Sequence, residues 1–226
     1  MLNANNIKFY EYSITKNPKY LVVFLHGYGA NGQNLISLAE EFSLILPQAL
    51  YLSPNAIEPW EGGFPNAYQW FSLYQIQSGN DQRKSLNQIS DQIKNSNKIL
   101  QEFLNLQLKK LNLNHSNLIL IGFSQGSMMA NYQAMISQQQ LAGVVSFSGK
   151  IIEPTSIGEK ILSKTKTCLI HGKQDSVLDF SNFLDAKNIL TNLQTPFIAH
   201  ELDDLDHAID HRGITFAKQF IKSIID

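Results

Sequence analysis

Leu118-Ile119-Leu120-Ile121-Gly122-Phe123-Ser124-Gln125-Gly126-Ser127-Met128-Met129-Ala130 joins two kinds of local order. Leu118 to Ile121 is a short, unbroken apolar run, the pattern of a strand buried on both faces. Ser127 to Ile136 starts with small residues and continues at helical spacing. Between the two lies Gly-x-Ser-x-Gly with Ser124 at its centre. A strand that turns sharply into a helix puts its turn residue in a strained conformation, and flanking glycines leave room for the neighbouring backbone. Ser124 is therefore expected to stand clear at the carboxyl end of a sheet, above a helix N-terminus, as a nucleophile.

Outward from this turn, strands and helices alternate. Ile7 to Ile14 reads as an edge strand, and Tyr20 to His26 as a central one. Gln33 to Leu46 has Leu35, Leu38, Phe42 and Ile45 at helical spacing, and Ala49 to Leu52 is a third strand. Asp81 to Leu111 carries a long apolar stripe and predicts one long helix or two. Val144 to Phe147, Thr167 to His171 and Phe197 to Leu202 predict further strands. Phe180 to Leu193 and Ala208 to Ile225 predict helices. This order implies a mostly parallel α/β sheet covered on both faces, with ligands bound at the strands' carboxyl ends.

Residues 53–79 break the alternation with three prolines, two adjacent glycines and six aromatics. So long an irregular stretch predicts a lid or a pocket wall, or else a loop pinned down by its own rings. Trp70 and Phe71 are expected to line a cleft near Tyr28.

The chain has 226 residues, enough for one domain spanning 1–226, and a net charge of -1. Scattered lysines argue against nucleic acid as a partner. The single cysteine, Cys168, lies in an apolar strand and reads as a buried, inert thiol. No basic and apolar leader opens the sequence, and no apolar run reaches membrane-spanning length. A cytoplasmic protein with no stable membrane insertion is expected.

A serine hydroxyl needs a base, and the base needs an orienting carboxylate, here in the order Ser, Asp or Glu, His. Asp175 lies just beyond the Thr167–His171 strand. Asp179 is the alternative, placed to cap the next helix. Of the six histidines, His26 and His171 end strands ahead of their own loops, His115 precedes the serine strand, and His200 is within a strand. His207, at a loop-to-helix junction, is the expected base, with His211 its rival. The backbone N–H groups of Gln125 and Tyr28 are the expected oxyanion donors.

Phe24-Leu25-His26-Gly27-Tyr28-Gly29, Gly122-Phe123-Ser124-Gln125-Gly126, His171-Gly172-x-x-Asp175 and the late His207 together resemble the phospholipase/carboxylesterase family of α/β-hydrolases, which includes acyl-protein thioesterases. The resemblance implies the α/β-hydrolase fold and hydrolysis of carboxylic esters or thioesters by Ser124, Asp175 and His207, with no cofactor and no metal. It also implies small acyl substrates, with acylated proteins and lysophospholipids as further candidates. Oligomeric state stays open, a homodimer included. The sequence departs from the family pattern at Ser176 to Asp179, at Leu205-Asp206, and at Tyr28, where a leucine is common. The ring of Tyr28 is expected to shorten the acyl tunnel and favour short or medium chains. Two other readings stand beside this one. The first is a metal-dependent hydrolase using His207 and His211, four apart on one helix face with acidic neighbours. The second is a non-catalytic binding module on a hydrolase scaffold.

Overall fold

The computed structural model describes residues 6–75 and 82–225. Its centre is a seven-stranded sheet. The strands are β1 (Phe9–Ser13), β2 (Tyr20–Leu25), β3 (Ala49–Pro54), β4 (Leu118–Phe123), β5 (Gly143–Phe147), β6 (Thr167–Gly172) and β7 (Phe197–Leu202). Their spatial order is β1-β3-β2-β4-β5-β6-β7. β1 pairs antiparallel with β3, and every other pairing is parallel.

The apolar run of β4 is explained by its two faces. Leu118 and Leu120 enter one core with Leu21 and Val23 of β2, whereas Ile119 and Ile121 enter the other with Val22 and Phe24. The first core is covered by α3 (Leu86–Leu111) and α4 (Gln125–Ile136). The second is covered by α2 (Leu38–Ser43), beside the short α1 (Gly32–Ile36), and by α6 (His211–Ile225). On the first face, α5 (Ser181–Asn192) packs Phe183 and Leu190 with Leu169 of β6 and Met135 of α4. A strand between two covered faces has no polar side, so it shows no alternation in sequence.

Three expectations need adjustment. The helix anticipated from Gln33 to Leu46 is two short helices that meet at Ser37. The closing helix begins at His211 rather than Ala208, because Asp210 Oδ1 accepts the Gly213 N–H at 2.9 Å and caps it there. The long helix starts at Leu86, behind a Ser85/Gln88 capping box, and its anticipated start at Asp81 lies outside the described residues. Residues 76–79 of the anticipated aromatic loop lie outside them too. The described part of that loop contains a two-residue antiparallel pairing, Glu58–Pro59 with Tyr68–Gln69. A second joins Tyr74–Gln75 to Gln82–Arg83. No helix among the described residues is long and apolar enough to cross a membrane. Cys168 is buried in β6, and burial pushes its thiol up to about 12.

Candidate active site

Ser124 is the single residue between the end of β4 and the start of α4. Its φ of 53° and ψ of −118° lie outside the ordinary regions for a residue with a side chain. The conformation is held by its N–H, which donates to the Phe147 carbonyl of β5 at 2.9 Å. The flanking glycines are required by close backbone approach. A Cβ on Gly122 would fall 2.4 Å from the Ser127 Cα, and one on Gly126 would fall 1.9 Å from the Leu25 carbonyl oxygen. A turn this tight lets β4 feed α4 directly, and it leaves Ser124 at the carboxyl edge of the sheet. Gln125 is the first residue of α4, so its backbone N–H has no partner within the helix.

Ser124 opens into a cleft of about 340 Å³, lined also by Gly27, Tyr28, Gln125, Met128 and His207. His207 Nδ1 lies 2.8 Å from Asp175 Oδ2. The Asp175 side chain is wholly shielded from solvent, and the His207 side chain is 14% exposed. Asp175 Oδ1 accepts the N–H groups of Val177 at 2.9 Å and Leu178 at 2.8 Å, which locks the carboxylate in its loop. A second histidine reaches the same carboxylate. His171 Nε2 is 2.9 Å from the Leu178 carbonyl and 3.1 Å from Asp175 Oδ2. Both neighbours are acceptors, so the proton is on Nε2. Burial pushes His171 below the ordinary histidine range, outweighing the bond to Leu178 and the charge of Asp175, which act upward. Ser124 and His207 share the cleft without a formed Oγ–Nε2 bond among the described residues. Such bonds are often long in unliganded sites and tighten around a substrate.

Asp206 immediately precedes His207. Its Oδ1 accepts the Ser176 N–H at 2.8 Å, the Ser176 hydroxyl at 2.9 Å and the His207 N–H at 2.7 Å. One exposed carboxylate thus ties the loop of Asp175 to the loop of His207. The backbone bonds from Ser176 and His207 hold that carboxyl below its usual range.

The expected rivals lie elsewhere. Asp179 accepts the Ser181 N–H at 2.8 Å at the start of α5, the capping role anticipated for it. His211 opens α6, whereas His207 precedes the helix, so the shared helix face required by the metal reading does not form. Among the described residues, no group of three or more His, Cys, Asp or Glu is arranged to hold a metal ion.

Trp70 and Phe71 are not cleft-lining residues. They are 0% and 1% exposed and belong to the core beneath α3 and α4. Polar anchors pull them inward. The Trp70 indole N–H donates to the His26 carbonyl at 2.9 Å, and its backbone N–H donates to Gln125 Oε1 at 2.9 Å. The Gln125 amide in turn donates to the Phe71 carbonyl at 2.7 Å. The cleft wall is formed instead by Leu73, Tyr74, Met128, Val177 and Leu178. Some of these had a sequence signal. Met128 is one helical turn beyond Ser124, and Val177 and Leu178 are two and three residues after Asp175. His26 is a second buried histidine whose role is structural. Its Nε2 accepts the Ala56 N–H at 2.9 Å, its Nδ1 lies 2.7 Å from the Gly27 carbonyl, and burial pushes its pKa down to about 4.

A model of the Phospholipase/Carboxylesterase family matches residues 12–225. The chain is 28% identical over 210 residues to esterase YpfH of Escherichia coli (strain K12), covering 93% of this chain and 85% of that one. It is 24% identical over 223 residues to acyl-protein thioesterase 1 of Candida albicans (strain SC5314 / ATCC MYA-2876), covering 93% and 94%. The crystal structure of esterase PE8 superposes with a TM-score of 0.87 at 29% identity, over 97% of this chain and 99% of that one. The crystal structure of the Bacillus cereus carboxylesterase shares the fold at 18% identity, with a TM-score of 0.75 over 97% and 95%. The chain belongs to the phospholipase/carboxylesterase family. It is a serine hydrolase with the α/β-hydrolase fold.

Proposed function

We propose that this member of the family is a carboxylesterase or thioesterase that works through an acyl-enzyme on Ser124. The observation that carries the reading is the 2.8 Å contact between His207 Nδ1 and the shielded Asp175, at the edge of the cleft that holds Ser124. In the proposed cycle His207 Nε2 takes the Ser124 proton as Oγ attacks the acyl carbonyl. The carbonyl oxygen becomes an anion held by the backbone N–H groups of Gln125 and Tyr28. As the C–O or C–S bond breaks, His207 protonates the leaving alkoxide or thiolate. Water then attacks the acyl-enzyme, gives its proton to His207, and releases the carboxylic acid while the proton returns to Ser124. Asp175 keeps the imidazole in the tautomer that exposes Nε2 to the serine.

The substrate side of the proposal is a short or medium acyl chain on a small ester or thioester. The apolar wall and the Tyr28 ring support that choice. Acylated proteins and lysophospholipids belong to the same proposal as larger leaving groups, and the cytoplasm as its compartment. The test is the pair of histidine variants. His207→Ala should lose nearly as much kcat as Ser124→Ala, on the order of 10⁵-fold, because residues acting as a unit fail together. His211→Ala should keep most activity. The reverse ranking would remove His207 from the role.

A further inference from the structure

Glu61 lies in the aromatic loop and has no part in the chemistry above, yet four donors converge on its carboxylate. Oε1 accepts the Tyr28 phenol, the Leu73 N–H at 3.0 Å and the Tyr74 N–H at 3.1 Å. Oε2 accepts the Ser72 hydroxyl. The backbone of Glu61 is itself pinned, since its N–H donates to Gln69 Oε1 at 3.0 Å. Partial burial pushes the carboxyl up, but the bonds from Ser72, Tyr28, Leu73 and Tyr74 together outweigh it and hold the group below its usual range. Three of the residues around this carboxylate, Tyr28, Leu73 and Tyr74, line the cleft beside Ser124. The segment that carries Leu73 and Tyr74 has a further tie to the body through the Ser72 N–H, which donates to Gln92 of α3 at 2.9 Å. Lys84 Nζ donates to the Ser72 hydroxyl at 2.7 Å and extends the network to the residue after the strand that pairs with Tyr74.

We propose that Glu61 is a positioning residue that latches the Leu73–Tyr74 wall onto Tyr28 and thereby sets which acyl chains the cleft accepts. The inference rests on Ser124 being the nucleophile. A carboxylate has acceptor sites for four donors, so this one group fixes two segments that are far apart in sequence but line one cleft. Glutamine keeps one acceptor oxygen, and its amide faces groups that already donate. Alanine removes the whole junction.

The experiment compares kcat and KM for p-nitrophenyl acetate and p-nitrophenyl hexanoate in wild type, Glu61→Ala and Glu61→Gln. Glu61→Ala should change the hexanoate-to-acetate ratio of kcat/KM at least tenfold, through the hexanoate KM, while kcat for acetate falls less than threefold. Glu61→Gln should recover more than half of that change on a logarithmic scale. Tyr28→Phe removes one donor and keeps the ring. It should move the ratio in the same direction by about threefold, and it carries the test if the alanine variant fails to fold. Equal losses on both esters, or a ratio within twofold in every variant, would overturn the latch. Fluorophosphonate labelling of the same preparations separates the two claims. A wild type that takes no label on Ser124 defeats the serine reading, whereas full labelling with an unchanged ratio defeats the latch alone.

Discussion

At the scale of single residues, the site rests on where hydrogen-bond partners are. Ser124, Asp175 and His207 could be proposed from the sequence because the chemistry expected of them fixes their order and places each one in the turn or loop after a strand. Asp206 was not. In sequence it is one more carboxylate in an acidic loop, and only the approach of Ser176 shows that it joins two loops. Asp206→Ala removes three accepted bonds, so kcat should fall about tenfold with Ser124 labelling slowed but not lost. Asp206→Asn keeps one acceptor oxygen and should retain most of the rate. Equal activity in the alanine variant would mean that the loops hold each other by other contacts. His26 yields a stability prediction. Its pKa is about 4 in the folded chain, against roughly 6.5 for a free histidine. Between those values the unfolded chain binds a proton that the native state does not, so stability is fullest above about pH 6.5 and declines as pH falls toward 4. The slope is on the order of 1 kcal/mol per pH unit. Denaturant midpoints at pH 7 and pH 5 measure it, and His26→Gln should flatten it.

At the scale of elements, the parallel strands were readable from apolar runs and β4 from its glycines. Helix starts were less so, because a cap such as Asp210 is a matter of geometry that composition does not reveal. The aromatic loop shows the limit most clearly. Its rings indicated something to bury, but whether Trp70 faces a cleft or the core depends on the His26 carbonyl and the Gln125 side chain, both distant in sequence. Trp70→Ala should therefore act on stability, costing about 3–5 kcal/mol, rather than on KM for one class of ester. A variant with unchanged Tm and a raised KM would return Trp70 to the pocket wall. The elbow has its own test. Gly126→Ala puts a methyl group against the Leu25 carbonyl, so β2 and α4 must separate. Thermal melts should show a loss of about 3–5 kcal/mol, roughly a 10 °C fall in Tm.

At the scale of the whole molecule, the sheet brings together residues that are far apart along the chain. β4, β6 and β7 end at one edge, and the loops after them deliver Ser124, Asp175 and His207. A mostly parallel sheet was expected from alternation, whereas the hydrogen bonds of His171, Asp206 and Glu61 depend on loop packing that only the fold creates. Hydrolysis proposed on these three residues requires no metal, so dialysis against EDTA should leave esterase activity unchanged. Activity lost and restored only by zinc would favour a different chemistry. The central claim is that Ser124 forms the covalent acyl bond. Mass mapping of the protein after reaction with a fluorophosphonate measures this most directly. One adduct is predicted, on the peptide containing Gly122-Phe123-Ser124-Gln125-Gly126, and none on Ser124→Ala with its fold intact. An adduct on another residue, or undiminished labelling of Ser124→Ala, would contradict the account.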